Sequence, residues 1–160
     1  MVKRFLLLAI LLLPSLFAYA QTPSIVGTWA LTGADKILPD GTRVSDFGAN
    51  PHGLVIFTAD GHYTVEIYRA DRLKFSSSDK LKGTPEEYKD ASLGMSVHFG
   101  RYTVDSVKGT ISFHIDRASF PNWDDSTQVR TYEMVGDELT WKVPARPDGS
   151  IPLTVLRRIK

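Results

Sequence analysis

Apolar residues in this chain fall into two arrangements, an unbroken block near the start and then short alternating segments separated by Gly, Pro and Asp. The alternating segments predict strands, because side chains one apart on a strand point to opposite faces. Ile25 to Thr32 is the first, and it contains Gly27-Thr28-Trp29. A polar stretch follows, with Pro39-Asp40-Gly41 as a turn and Phe47 to Pro51 as loop. Leu54 to Thr58 and Tyr63 to Tyr68 flank Asp60-Gly61, a strong hairpin signal. A two-residue turn there sets Ile56 opposite Val65 and Leu54 opposite Ile67, leaving Thr64 and Glu66 on the far face.

Ala70 to Gly83 is Ser-rich and reads as an exposed loop. Thr84-Pro85-Glu86-Glu87 then starts a helix, with a Thr cap, Pro at the first helical position and Glu three residues after the cap. Tyr88, Ala91 and Met95 form a narrow stripe, and Gly94 ends the helix. A lone short helix among strands packs on a sheet or plugs an opening. Val97 to Asp105 and Thr110 to Asp116 are joined by a turn containing Gly109, and Gln128 to Val135 and Glu138 to Val143 by Gly136-Asp137. The second hairpin pairs Met134 with Leu139, Tyr132 with Trp141 and Arg130 with Val143. Pro152 to Ile159 is the last strand. Eight strands in successive hairpins predict an all-β, antiparallel up-and-down barrel with one short helix, since closure removes exposed strand edges. The interior of such a barrel holds side chains or one small ligand.

The opening block differs in kind. Lys3 and Arg4 precede the apolar run Phe5 to Leu13, and Ala18-Tyr19-Ala20 follows Pro14. That is the layout of a secretory signal peptide, and the run is too short for a bilayer span of about 20 residues. Residues 1–20 are therefore expected to be removed, exporting residues 21–160 to the periplasm or beyond, with no stable membrane insertion afterwards. Loss of Lys3 and Arg4 turns 19 basic against 18 acidic residues into 17 against 18. A near-neutral chain lacks the basic footprint of a nucleic-acid binder. With no cysteine there is no disulfide, thiolate metal site or cysteine nucleophile, so the domain is held by its core.

Ile25-Val26-Gly27-Thr28-Trp29 is similar to the Gly-x-Trp first strand of lipocalins. The downstream chain resembles the bacterial and fungal lipocalin-like domain family more closely. The matching segments are Leu38-Pro39-Asp40-Gly41, Pro51-His52-Gly53-Leu54, Phe57-Thr58-Ala59-Asp60-Gly61, Gly83-Thr84-Pro85-Glu86-Glu87-Tyr88 and Phe99-Gly100-Arg101-Tyr102-Thr103-Val104-Asp105. His114, Phe120-Pro121-Asn122-Trp123, Gln128-Val129-Arg130 and Arg158 continue the match. The resemblance implies a small calycin-type barrel with a cavity, and no particular reaction. It also implies structural roles for two residues, with Trp29 closing one barrel end and Arg158 packed across its ring. Alternation alone groups Arg157 rather than Arg158 with Leu153, Val155 and Ile159.

Candidate ligand contacts are Tyr102, His114, Trp123, Arg130, Tyr132 and Trp141. Arg130 shares its predicted face with Tyr132, Met134, Leu139, Trp141 and Val143, so its charge needs a partner or an anionic or carbonyl ligand. His114 and Asp116 share a face, which suits a ligand-contacting His or an oriented base. A four-residue Gly109 turn puts Arg101 opposite His114, and a three-residue turn puts Tyr102 there. Ile111, Phe113 and Ile115 are the competing inward face. A metal would need His98 as a further ligand, and no metal or other cofactor is expected. No nucleophile elbow, His-Glu-x-x-His or phosphate loop is present, and Asp124-Asp125 reads as a solvated turn. Trp123 sits in an aromatic loop that can cover a barrel mouth.

The expectation is a protein that binds a small apolar molecule inside the barrel, with walls such as Ile56, Val65, Tyr132 and Trp141. The alternatives are a cofactor-free isomerase or cyclase using the same cavity, and a filled barrel acting as a protein-interaction module. Neither the ligand nor the oligomeric state is specified by these residues.

Overall fold

The computed structural model of the chain describes residues 24–160. The expected signal peptide lies outside the described residues. Nine strands form: β1 (Gly27–Ile37), β2 (Arg43–Ser45), β3 (His52–Phe57), β4 (His62–Tyr68), β5 (Met95–Asp105), β6 (Thr110–Ala118), β7 (Ser126–Val135), β8 (Glu138–Lys142) and β9 (Ile151–Arg158). Eight of them run antiparallel in the order β1-β3-β4-β5-β6-β7-β8-β9, and β9 pairs back onto β1 to close the barrel. β2 is the exception, a three-residue strand on the far half of β1. The first strand is longer than the sequence pattern implied. An irregularity between Leu31 and Gly33 lets β1 pass through its polar half and still pair with β9 as far as Ile37.

The first hairpin has a different register from the one expected. Phe57 pairs with Tyr63, Val55 with Val65 and Leu54 with Glu66. Gly61 takes the left-handed φ of +87° and Thr58 N–H bonds to the His62 carbonyl at 2.9 Å, so the loop holds three residues rather than two. One extra loop residue exchanges the faces of β3. Val55 and Phe57 point inward with Tyr63, Val65 and Ile67, while Leu54 and Ile56 lie outside, which removes Ile56 from the expected wall. The β7–β8 hairpin has the expected register, with Met134 opposite Leu139 and Tyr132 opposite Trp141.

The core fills one half of the barrel. Trp29, Val55, Phe57, Phe113, Leu139, Trp141 and Leu156 are buried there. Phe57 and Trp141 meet edge to face at 6.4 Å, and Phe113 and Trp141 at 5.7 Å. Arg158 closes this end, its Cζ 4.1 Å from the Trp29 ring centroid and its Nη1 and Nη2 each donating at 2.6 Å to the carbonyls of Val26 and Ser24. The residue that the resemblance selected is therefore the one on the ring, because Arg158 pairs directly with Trp29 and shares its face.

The helix α1 (Pro85–Leu93) starts as expected, with Glu87 N–H donating to Thr84 Oγ1 and Thr84 N–H to the Glu87 carboxylate. None of its residues is buried. Tyr88 packs on Phe75 in the preceding loop instead, and α1 borders the open end of the barrel. Among the described residues no helix is long and apolar enough to cross a membrane.

Candidate functional site

The half of the barrel opposite Trp29 encloses a cavity of about 490 Å³. Its apolar wall includes Phe47, Val65, Ile67, Val143 and Leu153, and its rim is formed by Leu93, Phe120 and Trp123. That volume lies within the range of roughly 300–1,000 Å³ that encloses one drug-sized molecule. Phe120 is half exposed, and the short 3₁₀ turn Pro121–Trp123 carries its ring against Trp123 at 5.5 Å.

The floor is polar, and its side chains contact one another. Arg130, on the inward face of β7, is 4% exposed. Its Nη2 donates to His98 Nε2 at 3.1 Å and to Gln128 Oε1 at 3.0 Å. Its guanidinium lies 4.4 Å over the Phe113 ring and 5.5 Å from that of Trp141. No carboxylate pairs with it among the described residues, and its Nε is enclosed without a hydrogen-bond partner. Burial lowers the Arg130 pKa to about 10, with the Tyr63 phenol acting in the opposite sense, so the group stays charged at neutral pH.

His98, 1% exposed, joins this floor to Tyr63, whose Oη lies 2.9 Å from His98 Nδ1. Arginine can only donate, so Nε2 must accept and the proton of the neutral ring sits on Nδ1, directed at the Tyr63 oxygen. Burial first, and the neighbouring Arg130 charge second, push His98 down to about 3. Burial pushes the Tyr63 phenol above its ordinary range. At neutral pH the floor is thus one cation on a neutral His–Tyr pair.

Of the expected ligand contacts, the structure brings Arg130 and Trp123 to the cavity. Trp141 is buried one layer beneath Arg130, in the core. Tyr132 packs against the same core, and Tyr102 donates to the Thr58 carbonyl at 2.8 Å, with its ring edge on Phe57. These three fill the closed half and do not line the cavity. His114 is on the outer face. The Gly109 turn has four residues, Arg101 pairs with His114, and Ile111, Phe113 and Ile115 take the inward positions. His114 contacts Thr127 at 3.3 Å and lies 3.8 Å from Asp116 in a half-exposed pair. His98 and His114 are on opposite faces of the sheet, so they cannot share a metal. The interior histidine is His98. Its face could be read only after the Gly109 turn length was known, since that length decides which residues of β5 look inward.

The lipocalin-like domain model matches residues 26–157. No curated protein matches the chain. Among solved structures, a lipocalin-like protein from Bacteroides uniformis is 15% identical at a TM-score of 0.44, covering 84% of this chain and 97% of its own. A redesigned β-barrel is 14% identical at a TM-score of 0.41, covering 84% and 91%. A variant of the fluorescent protein UnaG is 16% identical at a TM-score of 0.37, covering 84% and 95%. The matched residues take in β1 to β9 almost to the last position of β9, and by that match the chain belongs to the lipocalin-like domain family.

Proposed function

We propose that this protein, exported to the periplasm or beyond, binds one small, largely apolar molecule in the open half of its barrel. The observation that carries this reading is the cavity of about 490 Å³ with apolar walls and a single charged residue, Arg130, on its floor. Apolar walls supply affinity, and a few fixed polar groups set orientation. A filled barrel acting only through its surface has no use for such a space. Proton-transfer catalysis is the weaker reading, because His98 is a poor base at a pKa of about 3 and Tyr63 holds its proton.

Native mass spectrometry of the protein purified from the exported fraction tests the proposal. A discrete added mass that disappears on solvent extraction is expected, on a chain that has lost its first 20 residues. A bare chain mass together with no uptake of a neutral apolar dye such as Nile red would overturn the binding reading. A full-length mass from that fraction would overturn the signal-peptide expectation alone.

A further inference from the structure

Resting on that cavity reading, we infer that the ligand is a monoanionic carboxylic acid whose carboxylate sits against Arg130. The argument is one of charge and of donor chemistry. Four lining residues besides His98 are ionisable: Asp35, Asp46, Arg130 and Arg146. Asp35 is taken by Arg43, and Asp46 by Arg146 at 2.6 Å and Lys36 at 3.3 Å. Arg130 is the one lining charge with no opposite charge beside it among the described residues. A buried cation is costly to hold without an anion, and a ligand carrying one negative charge balances it.

Around Arg130 the floor keeps N–H donors that no protein group takes up. Arg130 uses Nη2 for both of its bonds, leaving Nη1 unshared, while Nε is enclosed. Gln128 turns its oxygen to Arg130, so its NH₂ is left to donate into the cavity that it lines. Unshared donors on an unpaired cation suit a group that only accepts, and an ionised carboxylate is such a group. An alcohol would leave the Arg130 charge unbalanced. A phosphate monoester would bring a charge of about −1.5 to −2, more than one guanidinium balances.

The test is displacement of Nile red from the unaltered protein at neutral pH by dodecanoate, dodecanol and methyl dodecanoate. Dodecanoate should displace the dye at concentrations about tenfold or more below those of the alcohol and ester. In Arg130→Met the three should fall within about threefold of one another while dye uptake persists. Equal displacement by all three on the unaltered protein, or an acid preference that survives in Arg130→Met, overturns the acid assignment and leaves the cavity reading standing. So does dye uptake that none of the three reverses. A protein that takes up neither the dye nor any of the three overturns both. The acid-to-ester comparison needs no variant, and Gln128→Leu, which should narrow the preference by about threefold, gives a second readout if Arg130→Met does not fold.

Discussion

Arg130 places Nη2 3.1 Å from His98 Nε2, joining the middle of β7 to the start of β5 across the barrel floor. The bond selects one tautomer of the imidazole and sets a full positive charge against it. A protonated His98 would have no acceptor nitrogen for Arg130 and would add a second buried cation.

That relationship makes folding sensitive to acid in a defined window. His98 takes up a proton near its ordinary 6.5 when unfolded, and only near 3 when folded. Between those values the unfolded chain binds more protons, so stability is full above 6.5 and falls as pH drops toward 3. One proton contributes a slope of at most about 1.4 kcal/mol per pH unit. Urea unfolding measured from pH 7 to 5, above most carboxylate titration, should show this loss in the unaltered protein and lack it in His98→Gln. Equal slopes in the two proteins would mean that His98 is protonated in the folded state.

Trp29 and Trp141 are both fully buried, yet only one has its N–H satisfied. Trp29 Nε1 donates to the Ile25 carbonyl at 2.8 Å, whereas Trp141 Nε1 has no partner. Replacing Trp29 by Phe leaves a carbonyl unpaired and weakens the platform under Arg158, a loss of about 2–3 kcal/mol. Replacing Trp141 by Phe also opens space, but it removes an unsatisfied donor, so the net loss should be about 1 kcal/mol. Urea midpoints at unchanged m-value give the comparison. A greater cost for Trp141→Phe would indicate that its N–H is satisfied in solution.

The strand pattern and turn residues were enough to read an eight-stranded barrel with one helix, because alternation and Gly-containing turns are local signals. The register of the β7–β8 hairpin was legible, since Gly136-Asp137 forms the tight loop that its sequence suggests. Asp60-Gly61 gave the hairpin but not its register, which depends on whether Gly61 lies within a two- or a three-residue loop. β2 and the second half of β1 escaped because their residues are polar and gain strand structure by pairing with one another and with β9. Arg130 stood out as a charge on an apolar face. His98 did not, because its role follows from tertiary contacts to Tyr63 and Arg130 that lie 35 and 32 residues away.

Asp46 ties two loops together at the cavity mouth. Burial acts to raise its carboxyl, but the hydrogen bond and charge of Arg146, then of Lys36, outweigh this and hold it below the ordinary range. Arg146 Nη2 reaches it at 2.6 Å from the loop between β8 and β9. Asp46→Asn should leave the fold intact and cost about 1 kcal/mol, the scale of a partly exposed ion pair. Amide hydrogen exchange should quicken around residues 144–150 and stay unchanged in the β7–β8 hairpin. Unchanged exchange in both segments would show that the mouth is held by backbone bonds such as Arg146 N–H to the Ser150 carbonyl.

Of the three tryptophans, Trp123 alone lines the cavity, while Trp29 and Trp141 are sealed in the core. Its ring stands edge-on to His98 at 6.3 Å and to Phe120 at 5.5 Å, between the floor and the rim. An apolar molecule entering the cavity must displace water from that ring, and the tryptophan emission should shift to the blue. Trp123→Phe should remove most of the shift while keeping a large apolar rim, and should weaken binding only about fivefold, near 1 kcal/mol. Phe120→Ser, which removes the outer rim side chain, should weaken binding while leaving the emission change at saturation intact. If Trp123→Phe kept the full emission change, the ligand would have to reach Trp141, and the cavity floor at Arg130 would have to open on binding.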